Sequence, residues 1–445
     1  MDGPASPAPS DRTPSGPSPR EYLHAVLLSA AVGIPAALAA VLFLGAVHYV
    51  EHWLWIELPE ALGDTTPQWY LVVGLPFVGA ALVLAARVLF PGDGGHEPLE
   101  GLSMAPTPIS HAPGIALAAL ASLSFGAVLG PEAPVVALGG ATALFLTSRI
   151  ELGEHQRMLV TLAGSFAAIS ALFGGPLVGG VLIMESALGL GAQAIPALLP
   201  GFVAAAVGYL IFIGFGDWGG LDAPGLVVPA LELYEDVRLT DLLVAVAVGL
   251  VTTLVIVPLK RGAAELRALG RTRLGMPVLL LAGGLAVGLV ALAADALGAG
   301  SQDVLFSGQK SIPSLLSETS TSVVVVLLVA KAIAYTVSLA AGFRGGAIFP
   351  AIFIGVGVAT FPVLWLDMSP TVALAMGAAA GMTAQSRLLL ASMLLAAILV
   401  GAQGTDAVPA AVLAAATAWL TATALERRTR AATPSGAPPS SRSTA

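Results

Sequence analysis

The stretch Phe125-Gly-Ala-Val-Leu-Gly-Pro-Glu-Ala-Pro134 interrupts an otherwise apolar region with glycines, prolines and one carboxylate. It joins apolar blocks at residues 113–130 and 134–150, both shorter than the roughly 20 residues that a helix needs to cross a bilayer. Such breaks indicate helices that end inside the membrane, where irregular backbone is tolerated only when it is buried in protein or lines a cavity. We therefore expect this stretch to border a cavity.

A matching break, Gly342-Phe-Arg-Gly-Gly-Ala-Ile-Phe-Pro350, occurs in the other half of the chain. After each break comes an apolar stretch and then a small-residue segment, Gly164-Ser-Phe-Ala-Ala168 in the first half and Gly381-Met-Thr-Ala384 in the second. Paired broken segments at matching places indicate an inverted-repeat transporter with its site near the bilayer midplane. The predicted fold class is all-α, a polytopic membrane protein with broken and re-entrant helices.

The composition agrees with a membrane protein. Only 10% of the residues are charged and 56% are hydrophobic, whereas a soluble domain carries roughly 25% charged residues. This excludes a soluble multidomain enzyme, and 19 basic against 27 acidic residues exclude a nucleic-acid binder. The absence of cysteine excludes disulfides and thiol chemistry. The predicted organisation is a disordered tail (1–20), two transmembrane repeats (21–216 and 239–426) and a second disordered tail (427–445).

Basic residues concentrate in both tails and in the segment 260–273, which is interpreted as a loop. The positive-inside rule places these three segments in the cytoplasm. We therefore expect an integral protein of a bacterial inner or plasma membrane with both termini cytoplasmic.

Glycine-rich breaks that precede apolar helices are suited to binding anions. A further such break spans Gly92 to Gly101, so in chain order the first break is 92–101, the second is 125–134 and the third is 342–350. Backbone N–H groups at a helix N-terminus are unpaired and lie at the positive end of the helix dipole, so several converging ends would hold an anion without a buried cation. Ordinary turns between spans are the alternative for any one break. The predicted anion-binding residues are Gly94, Gly95, His96, Gly130, Pro131, Ala133, Gly346, Ala347, Ile348 and Phe349.

Glu132 is the candidate gate. An ionisable residue at membrane depth is costly and usually functional. A carboxylate in this place could occupy the anion site itself and leave it when protonated. The alternative is a glutamate that extends to the membrane interface.

Together these motifs resemble the CLC family of chloride channels and proton/chloride antiporters. Gly130-Pro-Glu-Ala-Pro134 is similar to the family's G-[KR]-E-G-P, and Gly345-Gly-Ala-Ile-Phe-Pro350 to its G-x-F-x-P region. The segment from Gly92 to Gly101 stands where the family has G-S-G-I-P-E. The stretch Ala171 to Glu185 is similar to a family segment that ends in one or two glutamates. The resemblance covers about residues 22–425.

The resemblance implies an inverted repeat, a homodimer with a pore in each subunit, and Glu132 as the external gate. The chain also departs from the family pattern. The family's selectivity serine would fall near Gly94, Pro131 replaces a basic residue, and Ala133 replaces a glycine. No tyrosine follows Tyr335, so we expect the final helix with its pore-facing tyrosine to be missing. These departures leave the preference among anions open.

The resemblance also bears on proton coupling. In family antiporters an internal glutamate passes protons, and the matching position here is Ser186, which carries no proton at neutral pH. Glu185 matches a structural glutamate, although it could relay a proton if turned toward the pore. Glu185 and Ser186 are therefore candidates for a proton relay, and uncoupled conduction is favoured.

Lys331 sits where family members carry a lysine, and either a structural contact to backbone carbonyls or an anion contact is expected of it. No cofactor or metal site is predicted, because the six histidines are scattered. No histidine shares an apolar block with Ser124, Ser165, Ser170 or Ser186 to serve as a base, so an intramembrane enzyme is not expected.

The function predicted from the sequence is passive, gated transport of small anions, chloride first, by a protein of the lipid bilayer that forms a homodimer and binds no nucleic acid. The alternatives are a proton-coupled chloride or fluoride exchanger and a non-transporting structural or regulatory membrane protein.

Overall fold

The computed structural model describes residues 18–101, 106–186, 195–214, 219–221, 226–229, 231–273 and 275–432. The predicted disordered tails, apart from their innermost residues, lie outside these ranges. The first half of the chain forms helices α1 (Pro19–His52), α2 (Leu58–Ala61), α3 (Trp69–Leu89), α4 (Ala112–Leu123), α5 (Glu132–Leu146), α6 (Glu154–Leu172), α7 (Pro176–Ser186) and α8 (Ile195–Ile213). The second half forms α9 (Leu239–Arg273), α10 (Met276–Ala296), α11 (Ser301–Val304), α12 (Ile312–Ser317), α13 (Thr321–Ala341), α14 (Ile348–Leu366), α15 (Pro370–Ser386), α16 (Leu389–Val400) and α17 (Val408–Ala432).

The fold is all-α, as the sequence predicts, and no β-strand occurs within the described ranges. Within the part of the chain that the structure describes, seven helical stretches are long and apolar enough to cross a membrane. Between them lie shorter apolar helices, among them α5 and α7, which are too short to cross a bilayer perpendicularly. This mixture of long and short helices is the broken-helix architecture expected of the inverted repeat.

The two halves repeat the same local packing. Helix α5 packs on α6 where a Cβ atom added to Gly139 would overlap the backbone of Gly164. Helix α14 packs on α15 in the same manner, through Gly355 and Gly377. Small residues let helix backbones approach closely in a membrane, where there is no hydrophobic force between helices. Each break is therefore followed by a tightly packed helix pair that fixes the direction of its first helix.

The halves are also joined to each other. Helix α3 packs on α10, where Gly284 and Gly288 lie against the backbone of the α3 turn around Pro76 and Val73. Gly130 and Gly346 form an antiparallel bridge in which each N–H donates to the other's carbonyl, at N–O distances of 2.7 and 2.5 Å. This bridge brings the two central breaks together.

Three boundaries differ from the sequence prediction. The segment 260–273, interpreted as a loop, is the C-terminal part of α9. Helix α17 continues to Ala432 and so includes residues assigned to the disordered tail. Helix α1 begins at Pro19, where the Ser18 hydroxyl and the Glu21 carboxylate form a reciprocal capping box. Charge and hydropathy predict which residues lie in the bilayer, not where a helix ends. These helices continue beyond the apolar residues because their backbone hydrogen bonds remain satisfied there.

Candidate functional site

The carboxylate of Glu132 lies where the N-termini of α5 and α14 meet. Glu132 is the first residue of α5 and is fully buried. Its Oε1 accepts a hydrogen bond of 2.9 Å from the backbone N–H of Phe349, in the first turn of α14. Its Oε2 is buried without a hydrogen-bond partner. The positive ends of two helix dipoles thus surround one negative group.

Glycine is required on both sides of this carboxylate. A Cβ atom added to Gly130 or to Gly346 would overlap the carboxyl group of Glu132. The two glycines form the bridge described above, so the backbone rather than side chains encloses the carboxylate. Both positions are therefore glycine because the backbone approaches the buried carboxylate of Glu132 too closely for a side chain.

In the described part of the chain, no basic side chain pairs with Glu132. Among the ion pairs formed by the described residues, none includes this carboxylate. A buried carboxylate with one unpartnered oxygen is costly for stability. In the described structure the carboxylate is therefore held by the backbone N–H of Phe349 and not by a cation.

Two cavities approach the segment Pro131–Glu132 and are separated by it. The first, which we name the Lys310 vestibule, has a volume of about 330 Å³ and reaches Leu129 and Pro131. The second, the Glu185 vestibule, has a volume of about 850 Å³ and reaches Glu132 itself. Besides Glu185, it is lined by Ala133, Ser186, Gly345, Gly346, Ala347, Ile348, Lys260, Gln385 and Arg387. The carboxylate therefore stands between two cavities.

The first break is held by an ion-pair network. Asp93 pairs with Arg87 through both carboxylate oxygens, at 2.7 and 2.8 Å. The buried guanidinium of Arg344 donates to the carbonyl of Asp93 and to its Oδ2. Glu97 pairs with Arg267 and lies 3.9 Å from Nη1 of Arg344. Arg344 belongs to the third break, so this network ties the first break to the third.

The structure does not bring Gly94, Gly95 and His96 to the carboxylate of Glu132. Gly95 and His96 line a separate cavity of about 190 Å³, and the surroundings of Gly94 are the side chains of Ala118, Arg87 and Arg344. The reason is the network at Asp93, which turns this part of the loop toward Arg344. A later part of the same loop, Pro98 to Gly101, lines the Glu185 vestibule instead.

The remaining predicted residues fall near Glu132. Gly130, Gly346 and Phe349 touch its carboxylate directly. Ala133, Ala347 and Ile348 share the Glu185 vestibule with it, and Pro131 faces the Lys310 vestibule. The ring of Phe349 stacks on Phe173 at a centroid distance of 5.6 Å. The second and third breaks therefore form the candidate anion site.

Lys331 has the geometry of a structural anchor. Its side chain is fully buried in α13, and Nζ donates to the carbonyls of Asp303, Leu305 and Phe306 at 2.9, 2.8 and 3.1 Å. The ammonium also lies 4.7 Å from the ring centre of Phe353. All three donors of a lysine are thereby used. This geometry favours the structural alternative over an anion contact.

Glu185 has a similar capping geometry. Its carboxylate accepts hydrogen bonds from the backbone N–H groups of Leu389, Leu390 and Ala391, at the start of α16. Ser186 Oγ donates to the Leu182 carbonyl. Both residues line the vestibule, but the carboxylate of Glu185 is engaged by three donors. This geometry favours a capping role for Glu185.

We expect Glu185→Gln to lower the free energy of unfolding by about 1 kcal/mol, because an amide oxygen replaces a charged acceptor at a helix N-terminus. Denaturation in detergent, followed by the loss of the monodisperse species, measures this change. Glu318→Gln in the connection before α13 is the control, since its carboxylate is only partly buried and bonds to the backbone of the next two residues. An equal loss for both variants would contradict the capping role.

Four residues of this region were not singled out by the sequence. Arg344 and Tyr335 are buried, and the Tyr335 hydroxyl donates to the carbonyl of Ala347 at 2.8 Å, just before α14. Gln385 is buried with an unpartnered Oε1, and Lys310 stands at the mouth of the other vestibule. Polar residues within or beside apolar blocks were the available signal for the first three. No sequence signal placed Lys310 beside the second break.

Comparison with known proteins agrees with this architecture. The family model described as voltage gated chloride channel matches residues 78–423. The chain is 31% identical over 358 residues to the putative ion-transport protein YfeO of Escherichia coli (strain SMS-3-5 / SECEC), covering 77% of this chain and 79% of that one. The YfeO protein of Shigella boydii serotype 4 has the same identity and coverage.

Solved structures share the fold at low sequence identity. The structure of a slow cyanobacterial Cl⁻/H⁺ antiporter superposes with a TM-score of 0.71 and 19% identity, covering 94% of this chain and 99% of that one. A CLC-type fluoride/proton antiporter gives a TM-score of 0.68 and 18% identity, with 92% and 97% covered.

The family match extends over both repeats and includes the two breaks that meet at Glu132. The predicted resemblance is thus confirmed by a family model, by relatives of similar length and by solved structures. The chain is an integral membrane protein and belongs to the voltage-gated chloride channel (CLC) family.

Proposed function

We propose that the protein conducts small anions, chloride first, passively across a bacterial cytoplasmic membrane, and that Glu132 gates the pathway. One observation carries this proposal: a buried, unpaired carboxylate stands on two helix N-termini between two cavities. With the carboxylate in place the site is occupied by the protein's own anion. When Glu132 is protonated or swings away, a mobile anion takes its place on the N–H of Phe349 and its neighbours.

The absence of a paired cation supports rapid passage. Binding must be strong enough for the anion to enter and weak enough for it to leave. Backbone dipoles supply a moderate attraction, whereas a buried guanidinium would supply a strong one. Arg344 is the basic residue of the third break, and its guanidinium is directed at Asp93 rather than at Glu132.

Proton coupling is the second candidate, because structural neighbours are described as Cl⁻/H⁺ and F⁻/H⁺ antiporters. A coupled exchanger needs a proton path from the Glu185 vestibule to Glu132. The carboxylate of Glu185 holds three backbone N–H groups, and Ser186 bears no acid group. These contacts support the uncoupled alternative.

Chloride efflux from liposomes tests the proposal. Purified protein is reconstituted in chloride-loaded vesicles, and a potassium ionophore is added to dissipate the voltage. We expect chloride release well above that of protein-free vesicles. Release equal to that of empty vesicles at both acidic and neutral pH would overturn the proposal and favour a non-transporting structural or regulatory role.

A reversal-potential measurement separates the two transport modes. The chloride gradient is fixed and a pH gradient is imposed. An uncoupled pathway then has its reversal potential at the chloride equilibrium potential, since no proton moves with the anion. In a proton-coupled exchanger the reversal potential moves away from that value with the pH gradient. The same vesicles loaded with fluoride or nitrate give the anion preference.

We also propose that the protein forms a homodimer with one pathway in each subunit and that both of its termini are cytoplasmic. Transport is proposed to need no cofactor, metal or enzymatic step. The dimer rests on family membership. The orientation rests on the basic C-terminal part of α9, whose Lys260 and Arg261 contact Gln385 and Leu425 on the side of the Glu185 vestibule. Cross-linking in native membranes and protease access to a terminal tag measure the two properties.

A further inference from the structure

The Lys310 vestibule carries one exposed basic side chain. Among the residues that line this cavity in the described structure, Lys310 is the only lysine or arginine, and its side chain is 65% exposed. The same cavity reaches Leu129 and Pro131, next to the gate. An anion that approaches Glu132 from this side therefore passes a single fixed positive charge.

Two partners orient the ammonium group. Lys310 Nζ donates to Glu51 Oε1 at 2.7 Å and lies 3.1 Å from His48 Nδ1, both near the C-terminal end of α1. The Glu51 side chain is only 20% exposed, whereas the lysine is largely open to the cavity. A lysine has three donors, so one N–H remains for a ligand. The pair therefore presents its positive member to the solvent in the vestibule.

The segment that carries Lys310 is fixed to the gate region. Lys331 binds the carbonyls of residues 303, 305 and 306, and the N–H of Phe306 contacts the carbonyl of Gly126 at 3.4 Å. The ring of Phe306 packs edge-on against Trp55, whose Nε1 donates to the carbonyl of Ser124. These contacts attach the wall of the vestibule to the chain that leads into the second break. The position of the lysine relative to the gate is therefore set by buried contacts.

We propose that Lys310 is the capture residue of this vestibule and binds the incoming small inorganic anion before it reaches the site at Glu132. This inference rests on the proposed transport function. Lys310 raises the local concentration of anions at the mouth of the vestibule, because a fixed positive charge at a narrow opening attracts them electrostatically. It takes no part in the gate itself, so it governs the half-saturating anion concentration and not the maximal rate.

A cysteine exchange tests the charge at a fixed position. The chain contains no cysteine, so Lys310→Cys creates a unique thiol without further changes. The variant is labelled in detergent with a thiosulfonate reagent bearing either a trimethylammonium or a sulfonate head, and chloride efflux is then measured against chloride concentration. We expect the half-saturating concentration of unlabelled Lys310→Cys to rise about threefold to fivefold at low ionic strength, as expected for a single charge in contact with an anion in water.

The two labels separate charge from size. The trimethylammonium label should restore a half-saturating concentration near that of the wild type, and the sulfonate label should raise it further. Both differences should shrink at high concentrations of an impermeant salt, because the Debye length falls to about 3 Å at 1 M. Ser314→Cys, an exposed position in α12 that does not line the vestibule, is the control and should respond to neither label.

Three outcomes would overturn the inference: equal effects of the two labels, no effect of either label, or a change confined to the maximal rate. Absence of chloride efflux in the wild-type protein would instead overturn the proposed function. The two failures are therefore distinguishable within one experiment.

Discussion

Replacing Glu132 by glutamine should make chloride efflux independent of pH, whereas efflux through the wild-type protein should rise as the pH falls. In the wild type, protonation removes the negative charge that competes with chloride for the donors at the start of α14. A single proton limits this rise to about tenfold per pH unit. Glutamine keeps an oxygen that accepts from Phe349 N–H but never carries a charge, so the titration disappears.

Glu132→Ala should give the largest steady efflux, because it removes both the charge and the side chain that fills the site. The measurement is the initial rate of efflux between about pH 4.5 and about pH 7.5, a range that spans the ordinary titration of carboxyl groups and histidine. Glu185→Gln is the matched control: it is a second glutamate bordering the same vestibule and bound by backbone N–H groups, and it should keep the wild-type titration. A Glu132→Gln variant that titrates like the wild type would show that another group is the gate.

Replacing Lys331 by methionine should destabilise the protein by about 3 kcal/mol or more. Methionine has nearly the same length, but it leaves the carbonyls of Asp303, Leu305 and Phe306 without their common donor. Each buried acceptor that loses its partner costs roughly 1–3 kcal/mol. The affected segment forms the wall of the Lys310 vestibule, so efflux should also fall in the molecules that remain folded.

Lys310→Met is the control for this experiment. It removes the same functional group, but the side chain is largely exposed and its loss should change stability by less than about 1 kcal/mol. Thermal denaturation in detergent, followed by size-exclusion chromatography, measures both variants. Equal stability of Lys331→Met and the wild type would mean that the ammonium contributes no net stabilisation in the interior.

Much of the fold was predictable from the sequence because the bilayer restricts the choices. Apolar blocks between residues 69 and 425 coincide closely with helices, since only helices satisfy all backbone groups of such a segment in lipid. The repeat was visible because both halves need glycine where a backbone meets the site, at Gly130 and at Gly346. The segment 260–273 was misread as a loop, because charge marks departure from the membrane and not the end of a helix.

The candidate site was predictable in part. The break around Glu132 and the break before α14 were recognised because a carboxylate and glycines at membrane depth are costly unless they have a use. The first break looked equivalent in sequence, yet Asp93 and Glu97 recruit Arg344 and Arg267 and hold Gly94 away from the carboxylate. The pair between Asp93 and Arg344 joins residues about 250 positions apart, and local sequence patterns contain no information on such a contact.

The amino-acid sequence by itself determined the membrane class, the order of the helices and the repeated breaks, and it singled out Glu132 as the candidate gate. Local composition is enough for these properties, because the cost of charge and of unpaired backbone in lipid acts on each segment separately. Only the tertiary structure decided which breaks meet, that Lys331 binds backbone carbonyls, and that Lys310 lines the cavity that reaches Pro131. These depend on contacts between segments far apart in the chain, where packing of the two halves sets the distances.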